Sequence, residues 1–179
     1  MSDLLTVKDL VVGYAGSGGS AVTPVVHGVS VPVAPGEILA LVGESGSGKT
    51  TTAQAAINLL PRGGEVISGS IEIEGSDVTS ASTSQWRSLR GRRIGLVPQD
   101  PGGSLDPTKR IGDSIAEAFR IHRAAPRRVL AERVVELLER VGIDEPARRA
   151  RQYPHELSGG MTQRVLIAGA IALGPGLLI

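Results

Sequence analysis

The chain has 179 residues, of which 41% are hydrophobic and 21% charged, with a formal net charge of +1. That length suits one compact domain with a small subdomain and a true core, and the near-neutral balance gives no overall field for nucleic acid. The absence of cysteine excludes disulfides and thiolate metal sites, and His27, His122 and His155 stand without metal-ligand spacing.

The N-terminal stretch "MSDLLTVKDL" has no apolar core of signal-peptide length, and no apolar run elsewhere is long enough to span a bilayer. These features point to a cytosolic chain whose membrane link comes only through a partner. "LLTVKDLVVGY" and "VVHGVSVPVA" alternate in the manner of strands, separated by a loose "AGSGGS" at 15–20. "EILALVG" at 37–43 is a continuous apolar run closed by glycine, which predicts a strand buried on both faces of a parallel sheet. "KTTTAQAAINLLP" predicts a helix stopped by Pro61, "GSIEIEG" at 69–75 an alternating strand, and "RIGLVPQ" at 93–99 another buried one.

After Gln99 the pattern changes. "DPGGSLDP" is a loop, and residues 108–152 read as a helical insert, in which Leu130, Val134, Leu137, Leu138 and Val141 recur at helical spacing. "MTQRVLIAGAIAL" predicts a nearly uncharged helix and "GPGLLI" the start of one more buried strand. Three arginine clusters (Arg87 to Arg93, Arg120 to Arg128, Arg148 to Arg151) read as solvated helix faces. Trp86 lies on a polar stretch without an assignable role.

"GESGSGKT" places Gly43, Gly48, Lys49 and Thr50 in the pattern G-x-x-x-x-G-K-[ST], between an apolar run and a helix. Glycines let the backbone turn so that N–H groups point inward at a phosphate, beside a helix N-terminus that favours negative charge. Lys49 supplies a compact cation for β- and γ-phosphates, and Thr50 a hydroxyl for Mg2+. With Glu44, Ser45, Gly46, Ser47 and Thr51 the loop forms a nucleotide site. A second glycine-rich helix start, "LSGG" at Leu157, Ser158, Gly159 and Gly160, is weak alone, because serine before a helix is a common cap.

Gln99 at the end of a predicted strand, a helical insert after it, and an LSGG closing that insert form an order that resembles the nucleotide-binding domain of ATP-binding-cassette (ABC) transporters. The resemblance covers essentially the whole chain, 1–179, with the helical subdomain at about 108–158. "GESGSGKT" matches the Walker A loop, Gln99 the Q-loop, and "LSGGM" with Gln163 the signature, where Met161 departs from the usual LSGGQ. The resemblance implies an α/β P-loop NTPase (RecA-like) core with an N-terminal antiparallel β subdomain and a helical insert, incomplete at the C-terminus. It further implies ATP and Mg2+ as ligands, with Thr50 and Gln99 toward the metal and Gln99 positioning water. Tyr14 resembles the aromatic that stacks on adenine, whereas His155 reads as local structure.

In that family the signature of one subunit closes over the nucleotide held by another. The implied partners are therefore a second nucleotide-binding domain, identical or related, and transmembrane permease subunits at the cytoplasmic face of the inner membrane. "VPQDPGGSLDPTKRIGDSIAEAFRIHR" and "YPHELSGGMTQRVLIA" resemble the branch that imports dipeptides, oligopeptides and nickel, which adds an extracytoplasmic substrate-binding protein and no nucleic acid. The family's Walker B aspartate, the following glutamate and a later histidine would lie beyond Ile179, so the 179 residues alone are expected to bind nucleotide and hydrolyse it poorly. The alternatives are a soluble ABC ATPase of translation or DNA repair, or a non-hydrolysing nucleotide-binding module.

Overall fold

The buried residues Leu5, Val7, Leu10 and Val12 change phase between positions 7 and 10, so a regular strand cannot put all four on one face. The computed structural model, which describes residues 3–16 and 21–179, resolves this with a bulge. In β1 (Leu5–Ala15) the pairing register shifts between Val7 and Leu10, and Asp9 takes a positive φ of 45°. The Ser30 hydroxyl braces the kink, accepting from the Asp9 amide at 2.9 Å. Positions 17–20 of the expected linker lie outside the described residues.

The chain divides into two units, Met1–Arg87 and Ser88–Ile179. In the first, β1 is flanked by β2 (Val22–Val33) and β3 (Gly64–Ile73), and β4 (Ser76–Asp77) follows β3, all antiparallel in the order β2-β1-β3-β4. β2 carries Pro24 and Pro32, which its edge position tolerates. Ile71 and Ile73 of β3 face inward with the apolar residues of β1, as the alternation of "GSIEIEG" predicts.

α1 (Lys49–Ala56) stops before Pro61. Asn58 adopts φ 52°, its amide donates to Ala55 at 2.9 Å and that of Leu59 to Gln54 at 2.8 Å, a Schellman closure that ends the helix before proline has any effect. Ser82 and Gln85 cap α2 (Thr83–Leu89) reciprocally, and Trp86 on that helix is buried, so its role is packing.

The expectation of a buried strand at 37–43 is not met. The run has no strand assignment, and Ile38 and Val42 are 97% and 91% exposed. An apolar run supplies side chains for a sheet, but a strand also needs a lateral hydrogen-bonding neighbour, and among the described residues none pairs with it.

In the second unit β5 (Ile94–Gly95) pairs in parallel with β6 (Leu177–Leu178), and bonds from Leu177 to Arg93 and from Val97 to Ile179 extend the ladder. This pair realises the first part of the strand expected at 93–99 and the one expected at the end of the chain; Leu96 and Leu178 are exposed. The insert folds as α3 (Ile111–Ile121), α4 (Leu130–Arg140) and the short α5 (Pro146–Arg149), with α6 (Gly159–Ala170) after it. Ile111, Ile115 and Phe119 of α3, Leu130, Val134, Leu137 and Leu138 of α4, and Val165 and Ala168 of α6 form one core, with Val141 half-buried at its margin. The periodicity read from "RRVLAERVVELLERVG" is the inward face of α4. Arg120 pairs with Asp113 at 2.8 Å and Arg148 with Glu145 at 2.6 Å on the exposed faces.

Leu138 is fully buried in this core. Leu138→Ala is expected to destabilise the second unit by about 2–5 kcal/mol, read from the denaturant midpoint of the natural protein carrying this chain. A shift under about 0.5 kcal/mol would place Leu138 outside a packed core.

Candidate functional site

In the first unit, residues 43–47 form an exposed loop that turns into α1 through the half-buried Gly48, whose φ is 87° and ψ 5°. Only glycine takes this conformation cheaply, and a Cβ there would also meet Val26 Cγ2 at 3.2 Å and the Val25 carbonyl at 3.3 Å. No side chain caps α1 and no acidic residue lies in its first turn, so its N-terminal dipole is left uncompensated by the helix itself.

The Lys49 ammonium donates to the carbonyls of Gly43 at 2.8 Å and Glu44 at 2.6 Å, and to the Ser47 hydroxyl at 3.3 Å. One cation thus gathers both limbs of the loop. Ser45 and Gly46 form the turn between them, Thr50 is exposed at the start of α1 and Thr51 half-buried. Thr52 is occupied in structure, its hydroxyl donating to the Gly48 carbonyl at 2.9 Å. Tyr14, half-buried near the end of β1 opposite Thr23 and Gly64, has its ring so close to Gly64 that a Cβ there would come within 2.8 Å of Cε1.

In the second unit, Gln99 is exposed in a bend beyond β5. The following loop organises itself: Asp100 accepts from the Gly102 amide at 2.9 Å, and Asp106 from the Thr108 amide at 2.9 Å and hydroxyl at 2.6 Å. The Thr108 hydroxyl and amide hold the Asp106 carboxyl below the ordinary carboxylate value. This turn is therefore favoured above that range and weakens as pH falls through the lowered value.

Leu157 leads into Ser158, which caps α6 by accepting from the Met161 amide at 3.3 Å. Gly159 and Gly160 form the first turn, exposed, and a Cβ on either would meet nothing within 4 Å. Neither glycine answers a packing need of this chain. Met161 and Gln163 are half-buried, and Met161 packs at the edge of the helical core.

The structure thus brings residues 43–51 together around Lys49 in one unit, and gathers 157–163 on the start of α6 in the other. Four contributors escaped the sequence reading. Arg164 donates to the carbonyls of Val141 at 3.2 Å and Gly142 at 2.6 Å, tying α6 to the end of α4. Arg110, Gly112 and Tyr153 lie where the start of α3 meets the approach to α6, with the Arg110 guanidinium 5.9 Å from the centre of the Tyr153 ring. Gly112 sits at the head of an amphipathic run, where helix propensity disfavours glycine; that is the one signal the sequence offered for it.

A groove between α3, α4 and α5 is lined by Arg110, Asp113, Arg120, Arg127, Glu132 and Arg151. No cluster of three or more His, Cys, Asp or Glu side chains fit to hold a metal occurs among the described residues, and no helix there is long and apolar enough to cross a membrane.

Residues 26–179 match the ABC transporter family. The chain is 47% identical over 180 residues to the oligopeptide transport ATP-binding protein OppD of Mycobacterium tuberculosis, covering 100% of this chain and 29% of that protein. It is 45% identical over 177 residues to OppD of Bacillus subtilis, covering 98% of this chain and 49% of that protein. A putative peptide import ATP-binding protein of Brucella ovis is 49% identical over 160 residues, 86% of this chain and 47% of the relative. The chain therefore spans about half, or less, of these relatives.

Among solved structures, the bacterial ABC transporter cassette MJ0796 in its dimeric structure superposes with a TM-score of 0.84 at 24% identity, covering 97% of this chain and 72% of that one, a likeness of fold alone. The protein cbiO1 of Clostridium perfringens, part of the transporter complex cbiONQ, superposes with a TM-score of 0.77 at 28% identity, covering 99% of this chain and 64% of that one.

Gly48→Ala is expected to strain the start of α1 by about 1–2 kcal/mol and lower the melting temperature accordingly. An unchanged melt would mean that Gly48 does not hold the left-handed conformation in solution.

Proposed function

The chain belongs to the ABC transporter ATPase family, and from that premise we propose that it is the nucleotide-binding part of an ATP-driven peptide importer. One observation carries the reading. The chain has two phosphate-type helix starts: one closed around its own Lys49, the other bearing Gly159 and Gly160, which nothing in this chain requires. Glycines exposed in a helix cost stability, so their presence at the start of α6 is accounted for by a partner's phosphate that must approach the backbone closely.

On this reading residues 1–179 are part of a single cassette, with a helical subdomain at about 108–158. The loop at Gly43, Glu44, Ser45, Gly46, Ser47, Gly48 and Lys49, continued by Thr50 and Thr51, receives the β- and γ-phosphates. Phosphate oxygens compete for the ammonium that now holds the Gly43 and Glu44 carbonyls, and the amides at the start of α1 turn toward them. Tyr14 stacks on the adenine.

On this reading Thr50 would offer a hydroxyl and Gln99 an amide oxygen to an Mg2+ that arrives on the nucleotide. Mg2+, when bound, neutralises charge on the phosphates. Gln99 orients the attacking water. Leu157, Ser158, Gly159, Gly160, Met161 and Gln163 act in trans, the Ser158 hydroxyl and glycine amides closing on a γ-phosphate held by a second cassette. Contacts that exist only when two halves meet let ATP stabilise the closed pair and hydrolysis release it.

The names of the relatives support peptide import. The groove between α3, α4 and α5, whose lining is largely apolar with four arginines and the carboxylates of Asp113, Glu132 and Glu136, supports docking of a permease segment, which would place the chain at the cytoplasmic face of the membrane, served by an extracytoplasmic substrate-binding protein.

In the natural protein carrying this chain, Lys49→Ala is expected to weaken Mg-ATP binding about 10- to 100-fold by calorimetric titration. Wild-type affinity would remove the Walker A assignment. Ser158→Arg is expected to spare binding and abolish turnover. Gly159→Ala should leave stability unchanged or raise it by up to about 1 kcal/mol while lowering turnover, because the methyl group meets nothing in its own chain. A variant that turned over normally would place the partner's phosphate elsewhere.

A further inference from the structure

α3 is capped in an unusual way. Its N-cap, Arg110, makes no side-chain cap bond. Instead the first amides of the helix donate across to another segment, Ile111 to the Gln152 carbonyl at 2.9 Å and Gly112 to the Ala150 carbonyl at 2.8 Å. A Cβ on Gly112 would lie 2.9 Å from that same carbonyl, so the two backbones touch. The start of α3 follows the Gln99 loop, and 150–152 precede the signature, so this seam joins the two.

Two neighbouring hydrogen bonds define a line, and a line is a hinge. A third contact, between side chains, adds to them. The Arg110 guanidinium stands over the Tyr153 ring, and that ring stacks on His155 with centroids 5.7 Å apart and planes 8° from parallel. From Tyr153 onward each step is fixed. The Glu156 carboxylate accepts from the Tyr153 amide at 2.7 Å, the Glu156 amide donates to the Tyr153 carbonyl at 3.0 Å, Pro154 begins the 3-10 turn, and the Leu157 amide donates to Pro154 at 3.1 Å. Ser158 and its cap come next. Tyr153 and His155 lie outside the hydrophobic core, so their contacts bear on the lead-in to α6 rather than on the fold of the unit.

We infer that Tyr153 is a positioning residue, which with Arg110 and His155 turns the seam between α3 and 150–152 into a clamp, so that the segment after Gln99 and the signature at 157–161 move as one piece. The ring provides the contact face for both neighbours, and Tyr153→Phe keeps it. The inference rests on the proposed role of the signature toward a partner's nucleotide only for its effect on turnover.

The test uses the natural protein in its assembly. In Tyr153→Ala, amide hydrogen exchange at Leu157 and Met161 is expected to quicken about 10-fold while the amides of α4 around Leu138 keep their protection. The kcat for ATP hydrolysis should fall about 10-fold through misplacement of the signature, with KM for Mg-ATP within about 2-fold and the melting temperature nearly unchanged. Tyr153→Phe should restore both readouts, and Arg110→Gln should reproduce part of the loss. Unchanged exchange at Leu157 and Met161, equal loss of protection in α4, or failure of Tyr153→Phe to rescue would each overturn the clamp. Failure of the underlying reading has another signature: Ser158→Arg would turn over normally, while the exchange result still decides the clamp.

Discussion

The second unit depends on bringing the two ends of the helical insert together. Chain that leaves after Gln99 returns before Ser158, and the closure is made where Ile111 and Gly112 donate to Gln152 and Ala150. Closing so long an excursion costs conformational entropy. The cost is offset behind the seam, where Ile111, the residue that donates, is also a fully buried member of the core shared by α3, α4 and α6. The same few positions thus satisfy the orphan amides of a helix start, close the insert, and set the approach to α6. Glycine at 112 follows from this, because any side chain there would hold the two backbones apart.

The two glycine-rich helix starts are physically unlike. At α1 the loop is gathered by a charge of its own, with Lys49 bonded to two carbonyls and a hydroxyl, so positive potential and open helix amides coincide. At α6 there is no basic residue in the corresponding turn; Ser158 caps the Met161 amide and two bare glycines follow. The first is equipped to hold a polyanion within one chain. The second offers donors and close approach but little charge, a complement to a phosphate already held elsewhere. Arg164 reinforces the second from the side, by tying α6 to the carbonyls that end α4.

Where sequence reading and structure diverge, a neighbour or a local closure is the cause. "EILALVG" has the composition of a buried strand, yet Ile38 and Val42 are exposed because burial and ladder bonds are properties of a pair. α1 ends at Ala56 because Asn58 can take a left-handed conformation and close the helix, a subtler signal than Pro61. Trp86 looked idle among polar residues, but a helix made by the Ser82–Gln85 box turns its ring inward.

The glycines and lysine of 43–50, the cap at Ser158, and the apolar face of α4 were determined by the sequence itself, because each expresses a local rule: an allowed φ, a hydrogen bond three residues away, or a helical period. Family membership was legible for the same reason, since the motifs are short and carry their chemistry within a few residues. Tertiary structure alone decided that β5 and β6 pair, that the start of α3 lies against 150–152, and that Arg110 stands over Tyr153. Those contacts join residues far apart in the chain, and their partners are chosen by packing geometry that no local pattern encodes.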